Sequence, residues 1–347
     1  MFNKFLGKFS KDLGIDLGTA NTLVYTSDKG IVINEPSVVA INTRNDQILA
    51  VGDEAKKMLG KTPGHINVIR PLVDGVVSDF EVTEKMLKYF IDKVHSESFT
   101  LIPRPRVVIG IPLDITEVEK KAVEDAAKSA GASQVYLVEE PMAAAIGVRL
   151  PVTEANATML VDIGGGTTDI VVISLGGSVN WKNLRIAGNT LNYDIMRYIR
   201  EEFNVSIGEQ VAEKVKIKIG SASPLKETMK MIVRGRDLIN GLPKEIEVND
   251  SQIREAMSRS IGQIIHNIKI VLETTPPELV SDIYEHGIIL TGGGALLRGL
   301  DKEVSQATRI PARVADDPLT CVVRGCGILI SDPELLAKVV LPSTKEL

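Results

Sequence analysis

Apolar and polar positions along this chain of 347 residues change between a period of two and a period near 3.6 many times. That alternation predicts interleaved strands and helices, hence an α/β architecture. The stretch LGIDLGTANTLVYTSDKGIVI reads as two or three short strands joined by tight turns, with Ser27-Asp28-Lys29-Gly30 as a hairpin turn. In EVTEKMLKYFIDKVHSES, the apolar residues Met86, Leu87, Phe90, Ile91 and Val94 share one helical face. A strand, RVVIGIP, follows. TEVEKKAVEDAAKSAG then predicts a helix opened by a capping box of Thr116 and Glu119 and closed at Gly131. VYLVEEPMAAAIGV predicts a strand entering a helix with Pro141 in its first turn. Further on, SIGQIIHNIKIVLETT has the spacing of an amphipathic helix, and GIILTGGGALLRGL that of a strand running through glycines into a helix.

Composition sets the size of the problem. With 44% hydrophobic and 24% charged residues, the chain can bury a large core, and its length suggests two or more domain-sized units. A formal net charge of −5, spread without acidic or basic blocks, gives no reason to expect nucleic acid as a partner. The two cysteines, Cys321 and Cys326, lie close together, and His65, His95, His266 and His286 are scattered without metal-ligand spacing. Structural zinc is therefore not expected, and a reduced cytosolic setting is. No apolar run approaches the roughly 18 residues of a spanning helix, and the N-terminus lacks the apolar core of a secretory signal. The expectation is a chain that stays inside the cell.

The candidate chemistry lies in a repeat. DLGTANT (Asp16 to Thr22) and DIGGGTT (Asp162 to Thr168) both place Asp at the end of an apolar strand, Gly two residues on and Thr four after that. Glycines at such a bend let backbone N–H groups approach a polyphosphate, and Thr or Asn adds donors. A carboxylate beside phosphate would repel it unless a divalent cation lay between, so the two aspartates imply Mg²⁺ held through water and phosphate oxygens. Each copy alone could be an ordinary Gly-rich turn with an acid at its edge; the repetition favours two similar halves. A third element, LTGGGALLRG (Leu290 to Gly299), offers a strand-to-helix turn with free backbone donors, or simply a tightly packed helix start. Gly60-Lys61-Thr62 is no P-loop, because Ala55 stands where its first glycine is required, and GGGALLRG lacks the acid of a dinucleotide fingerprint.

Together DLGTANT, DIGGGTTD and TGGGALLRGL resemble the phosphate-1, phosphate-2 and adenosine motifs of the actin, sugar-kinase and heat-shock chaperone ATPase superfamily. Within it the chain resembles the MreB family of bacterial actins, which organise cell shape. NEPSVVAI, EEPMAAAIG, AEKVKIKIGSA and ADDPLTCVVRG match that family in the same order, and the resemblance runs from the first residues to about residue 330.

The resemblance implies an actin-like ATPase fold, two similar ribonuclease H-like lobes around a nucleotide cleft. Four subdomains would follow: IA from 1–32, 80–150 and 326–347, IB from 33–79, IIA from 151–185 and 250–325, and IIB from 186–249. It implies ATP and Mg²⁺ as cofactors, with Asp16 and Asp162 facing the metal through water. Gly18, Thr19, Ala20 and Asn21 would line one side of the phosphates, and Gly164, Gly165, Gly166, Thr167 and Thr168 the other. Glu209, Glu213 and Lys216, which share a helical face, match positions near ribose and adenine; Gly292, Gly293 and Gly294 would flank the adenosine. Without the resemblance, the 209–216 face reads as a solvated charged surface. Glu140 matches the residue that positions the attacking water, with Thr167 as its helper, and slow hydrolysis is implied; Glu140 could instead be a helix-start acid. The family commonly has Gly-Gly-Asp and another Asp three residues on, where this chain has Asn189 and Asn192. Two neutral amides there put the hydrolytic rate in question.

In MFNKFLGKFSKD, Met1, Phe2, Phe5, Leu6 and Phe9 fall on one helical face, with Lys4, Lys8 and Lys11 on or beside the other. Such a segment suits an anionic membrane, or packs on the protein's own core. Phe99 and Leu101 in SESFTLIPRPR form a second candidate for the same surface. The expected function is thus a cytoskeletal ATPase that forms homopolymer filaments in the cytoplasm, peripheral at the inner membrane. By resemblance its further partners are cell-wall elongation membrane proteins, and its role the organisation of wall synthesis and rod shape. The alternatives are a plasmid-segregation-type actin filament and a chaperone-like ATPase.

Overall fold

The structure, a computed structural model, describes residues 10–96 and 104–342. The chain divides into two compact units: Met1–Asn156 with Ile173–Val179 and Leu319–Leu347, and Ala157–Val172 with Asn180–Pro318.

The first unit is built on a five-stranded sheet in the order Gln134–Glu139, Arg106–Ile111, Leu13–Leu17, Asn21–Thr26, Gly30–Pro36. The last three strands form an antiparallel meander, and the first three pair in parallel. Alternation along Leu13–Leu17 decides what each face meets. Leu13, Ile15 and Leu17 enter a core with Met86, Leu87, Phe90 and Ile91 of the helix Phe80–His95, the apolar stripe expected from its spacing. On the other face stands Gly14, where a Cβ would lie 2.7 Å from the Gly327 amide nitrogen of the helix Cys321–Ser331. The helix Glu117–Ser129 opens with the predicted capping box: the Thr116 hydroxyl accepts from the Glu119 amide, and the Glu119 carboxylate accepts from the Thr116 amide. It ends at Ser129, and Gly131 follows at φ 118°, open to glycine. A smaller sheet of Val39–Asn42, Gln47–Val51 and Ile66–Ile69 was not anticipated. Gly60-Lys61-Thr62 follows the short helix Asp53–Met58 in irregular backbone, without the strand–loop–helix setting of a P-loop.

The second unit repeats the plan. Its sheet runs Gly177–Leu184, Thr168–Ser174, Thr158–Ile163, Ile288–Thr291, Ala312–Val314, with the last three strands parallel; the hairpin end of its first two strands, Ile173–Val179, is counted with the first unit. Thr158–Ile163 therefore occupies the central place that Leu13–Leu17 holds in the first unit, and each carries the aspartate of its motif. Buried residues Met159, Val161, Ile163, Ile195, Ile264 and Ile268 belong to one core with the helices Gly188–Phe203 and Asp250–Thr274. The latter is longer than its apolar spacing alone predicts. Asn249 caps it, its side chain accepting from the Gln252 amide at 3.0 Å while Gln252 accepts from the Asn249 amide. The strand Ile288–Thr291 does not run straight into a helix as expected: a 3-10 turn, Gly293–Leu296, comes first, and the helix begins at Leu300 after Gly299 at φ 75°. No helix among the described residues is long and apolar enough to cross a membrane. Cys321 and Cys326 are both buried, and neither is in a disulfide.

Candidate functional site

Both predicted turns exist, and the first is held by Ser37 and Gly75, which lie outside its motif. In the first unit Asp16 pairs with Leu23 across the hairpin and with Gly110 on its other side. A Cβ on Gly18 would lie 2.7 Å from the Asn21 carbonyl oxygen, so only glycine fits that bend. Ser37 stabilises the turn from outside: its hydroxyl donates to the Gly18 carbonyl at 2.6 Å and its amide to the Ala20 carbonyl at 3.0 Å. The Thr19 hydroxyl accepts from the Gly75 amide at 2.8 Å. The turn backbone is thereby fixed while Ala20 stays exposed and Asn21 half-buried.

Glu140 opens the helix Glu140–Gly147, with Pro141 in its first turn as predicted. Gly110, the partner of Asp16, would bring a Cβ to 3.1 Å from the Glu140 Cγ. Asp16 and Glu140 thus flank the same glycine. The Cys326 thiol is held above its ordinary value, first by burial and then by the charges of Asp16 and Glu140. Glu139 has the structural role: its carboxylate accepts from the Ser178 hydroxyl at 2.5 Å.

In the second unit the Gly164 amide donates to the Thr167 carbonyl at 2.9 Å and closes the hairpin. The helix Gly188–Phe203 starts against this loop, with the Gly188 amide on the Gly164 carbonyl (3.1 Å) and the Asn189 amide on the Gly165 carbonyl (2.8 Å). Lys216 of the helix Glu209–Ile219 donates to the Gly188 carbonyl at 2.6 Å. Glu209, Glu213 and Lys216 are all half-buried on that helix. Thr167 is buried, and Thr168, fully buried, donates its hydroxyl to the Ile186 carbonyl at 2.7 Å. Asn192 is 3% exposed, and its Oδ1 has no hydrogen-bond partner.

Asp162 is only 7% exposed, and burial pushes its carboxyl from 3.8 up to about 6, an effect the neighbouring Thr291 hydroxyl partly opposes. The Gly-rich turn touches this acid: a Cβ on Gly292 would lie 2.4 Å from Asp162 Oδ1, and one on Gly294 2.2 Å from Ile163 Cγ2. Gly293 is exposed between them. The second unit therefore brings Asp162, Gly164–Thr168, the Lys216 ammonium and Gly292–Gly294 into one connected patch. A buried carboxylate with a raised pKa, beside glycine turns that admit no side chain, suits a divalent cation and a phosphate chain: the cation restores the charge that burial disfavours. Phe2, Phe5, Leu6, Phe9, Phe99 and Leu101 lie outside the described residues.

The family profile described as MreB/Mbl protein matches residues 10–338. The chain belongs to the MreB/Mbl family. Cell shape-determining protein MreB of Escherichia coli (strain K12) is 52% identical over 333 residues, which cover 94% of this chain and 95% of that protein. Cell shape-determining protein Mbl of Bacillus subtilis (strain 168) is 47% identical over 330 residues, 95% of this chain and 98% of that one. Among solved structures, MreB5 of Spiroplasma citri bound to AMPPNP superposes with a TM-score of 0.89 at 38% identity, covering 94% of this chain and 97% of the other. The MamK double helical filament gives 0.78 at 25% identity over 92% of this chain and 98% of that one. The expected fold is therefore the observed one: an actin-like α/β protein with a five-stranded sheet in each of two lobes. As an MreB/Mbl protein it belongs with actin-like relatives named for determining cell shape.

Proposed function

We propose that this chain is an Mg²⁺-dependent ATPase that polymerises when ATP is bound and whose filaments lie on the inner face of the cell membrane to guide wall synthesis. The observation that supports this reading is the repeated turn. Each unit has an aspartate on the central strand of its sheet followed by a glycine bend closed over its own backbone, and Asp162 is buried where it wants a cation. The relatives add the ligand class and the role, since MreB5 was solved with AMPPNP and the curated proteins determine cell shape.

In this reading Gly18–Asn21 and Gly164–Thr168 present backbone amides, with the Thr19, Asn21 and Thr167 side chains, to the phosphate oxygens. Asp16 and Asp162 would hold Mg²⁺ through water, and the ion would supply charge neutralisation at the phosphates. Glu209, Glu213 and Lys216 with Gly292–Gly294 receive the ribose and adenine. Glu140 orients the attacking water, helped by Thr167. Its place at a helix start, beside the same glycine as Asp16, directs its carboxylate, as in-line attack needs orientation more than a strong base. Turnover is slow, and the neutral Asn189 and Asn192 leave its rate to be set by the phosphate-release measurement.

The test is light scattering and sedimentation of the purified full chain with and without Mg²⁺ and ATP, alongside phosphate release. Polymer that needs both ligands is expected. Glu140→Ala should bind ATP normally and lose roughly 10²-fold or more in turnover; normal hydrolysis by that variant removes Glu140 from the reaction. Assembly that requires a DNA-bound adaptor would favour the plasmid-segregating alternative.

A further inference from the structure

The Gly-rich turn and the helix Glu209–Ile219 are distant in sequence, yet one side chain ties them together. Arg298 sits at the far end of the turn, and its Nη1 donates to the Ile217 carbonyl at 3.0 Å and to the Gly220 carbonyl at 3.2 Å. These carbonyls lie at the C-terminal end of the helix, where intrahelical donors run out and the helix dipole is negative. A guanidinium there satisfies the acceptors and pairs with the dipole. The backbone repeats the connection: the Arg298 carbonyl accepts from the Ala222 amide at 2.8 Å, and Ser221 and Arg298 form a parallel bridge. Gly299 is pressed so close that a Cβ would lie 1.9 Å from the Ser223 hydroxyl oxygen.

These contacts complete a ring within the second unit. Gly292 and Gly294 lie on Asp162 and Ile163, and the loop after Ile163 receives the amides of Gly188 and Asn189. The Gly188 carbonyl takes the Lys216 ammonium from the last turn of the helix, and the carbonyls of that same end return through Arg298 to the turn. The buried Ala212, Val215 and Ile219 seat the helix on the core, and Lys216 ties it to the hairpin. Arg298 adds the side-chain tie between this helix, which carries Glu209 and Glu213, and the Gly-rich turn.

We infer that Arg298 is a positioning residue for the nucleoside end of the nucleotide: without touching the ligand, it holds the Glu209–Glu213–Lys216 face in register with the Gly292–Gly294 turn. The inference rests on the nucleotide-binding reading above. It separates two parts of the ligand, because the hairpin Gly164–Thr168 is held by other bonds. Loss of Arg298 should weaken recognition of ribose and base while leaving the phosphates alone.

The experiment compares binding of Mg²⁺·ATP and Mg²⁺·inorganic triphosphate to the full chain, with KM and kcat for ATP, in wild type, Arg298→Ala, Arg298→Lys and Arg254→Ala. Arg298→Ala should bind ATP about tenfold more weakly, as for a lost bond to a charged group, and triphosphate within about twofold of wild type. KM should rise with little change in kcat. Arg298→Lys, whose ammonium can reach the same carbonyls, should recover most of the loss and serves if the alanine variant does not fold. Arg254 braces the same segment through the Ser221 hydroxyl (3.1 Å) and Asp250 (3.2 Å) but bonds neither helix carbonyl. Its alanine variant should lower the melting temperature without a selective loss of ATP. Equal weakening of ATP and triphosphate in Arg298→Ala, or the same ligand profile in both alanine variants, would overturn the inference alone. A wild-type chain that binds no ATP overturns the functional reading as well.

Discussion

Asp162 shows how one side chain carries a cost that the proposed cation site would offset. Its carboxyl is held near 6 by burial, against 3.8 ordinarily, so between those values the folded chain binds a proton that the unfolded chain has released. The sign follows directly: stability from this group is complete below about pH 4 and disappears as pH rises through about 6, by an amount on the order of 3 kcal/mol. Asp162→Asn, neutral throughout, should therefore melt higher than wild type at pH 7 without Mg²⁺ or nucleotide, and the gap should close near about pH 4.5. Thermal melts across this range check it; a gap independent of pH would mean that the charge is not what the fold resists. With saturating Mg²⁺·ATP the order should reverse, since the ligand stabilises only the chain that binds it. That Asp162 is an acid beside glycines was legible from DIGGGTT. Its burial was not, because it depends on Gly292 and Thr291, which are well over a hundred residues away in sequence and reach it only through strand pairing.

Two glycines in helices make the same point about packing. Gly325 lies in Cys321–Ser331, where a Cβ would come within 1.8 Å of the Ala143 carbonyl oxygen; the reciprocal contact, from Gly147 to the Cys321 carbonyl oxygen, is 1.9 Å. The two helices approach backbone to backbone, and the atoms in the way cannot move independently. Gly325→Ala should cost about 1–3 kcal/mol or more. Because Ala143 is in the helix that Glu140 opens, hydrolysis should fall with stability. Gly262, in the interior of Asp250–Thr274, is exposed, and nothing lies within 4 Å of its Cβ position. Gly262→Ala should gain about 0.5–1 kcal/mol, because it only removes backbone freedom from the unfolded chain. Denaturant midpoints of the two variants should shift in opposite directions; a shared direction would contradict the packing at Gly325. Nothing in the sequence distinguishes these glycines. Capping boxes are local, so Thr116 and Glu119 could be read directly, as could the hairpin turn at Ser27–Gly30. A close helix crossing, the ring through Arg298 and the 3-10 turn before Leu300 are set by contacts between distant segments, and periodicity contains no record of them.

The proposed assembly and membrane attachment would combine these parts, and the described residues bear on them through one small cluster. The Ser10 hydroxyl accepts from the Arg104 amide at 2.8 Å, the Lys11 amide donates to His95 Nε2 at 3.1 Å, and Asp12 pairs with the Arg106 guanidinium and amide. The chain just after the apolar N-terminal peptide is thus bonded to both sides of the segment that carries Phe99 and Leu101, so the two candidate membrane segments are attached at neighbouring points. Lys11 is already paired with Asp28 at 2.8 Å, which leaves Lys4 and Lys8 as the cations of the peptide for acidic lipid. In the proposed reading each Phe or Leu buried in lipid would contribute roughly 1.5–3 kcal/mol before ordering costs, so a single copy would bind weakly and a filament of many copies firmly. Flotation with anionic vesicles should therefore require Mg²⁺ and ATP. Deleting residues 2–9 or changing Phe99 and Leu101 to Ser should each lower the fraction that floats, and the combined variant should leave its polymer at the bottom of the gradient. Full vesicle binding by the combined variant, or equal binding with and without ATP, would detach the membrane from this assembly and leave only the nucleotide chemistry standing.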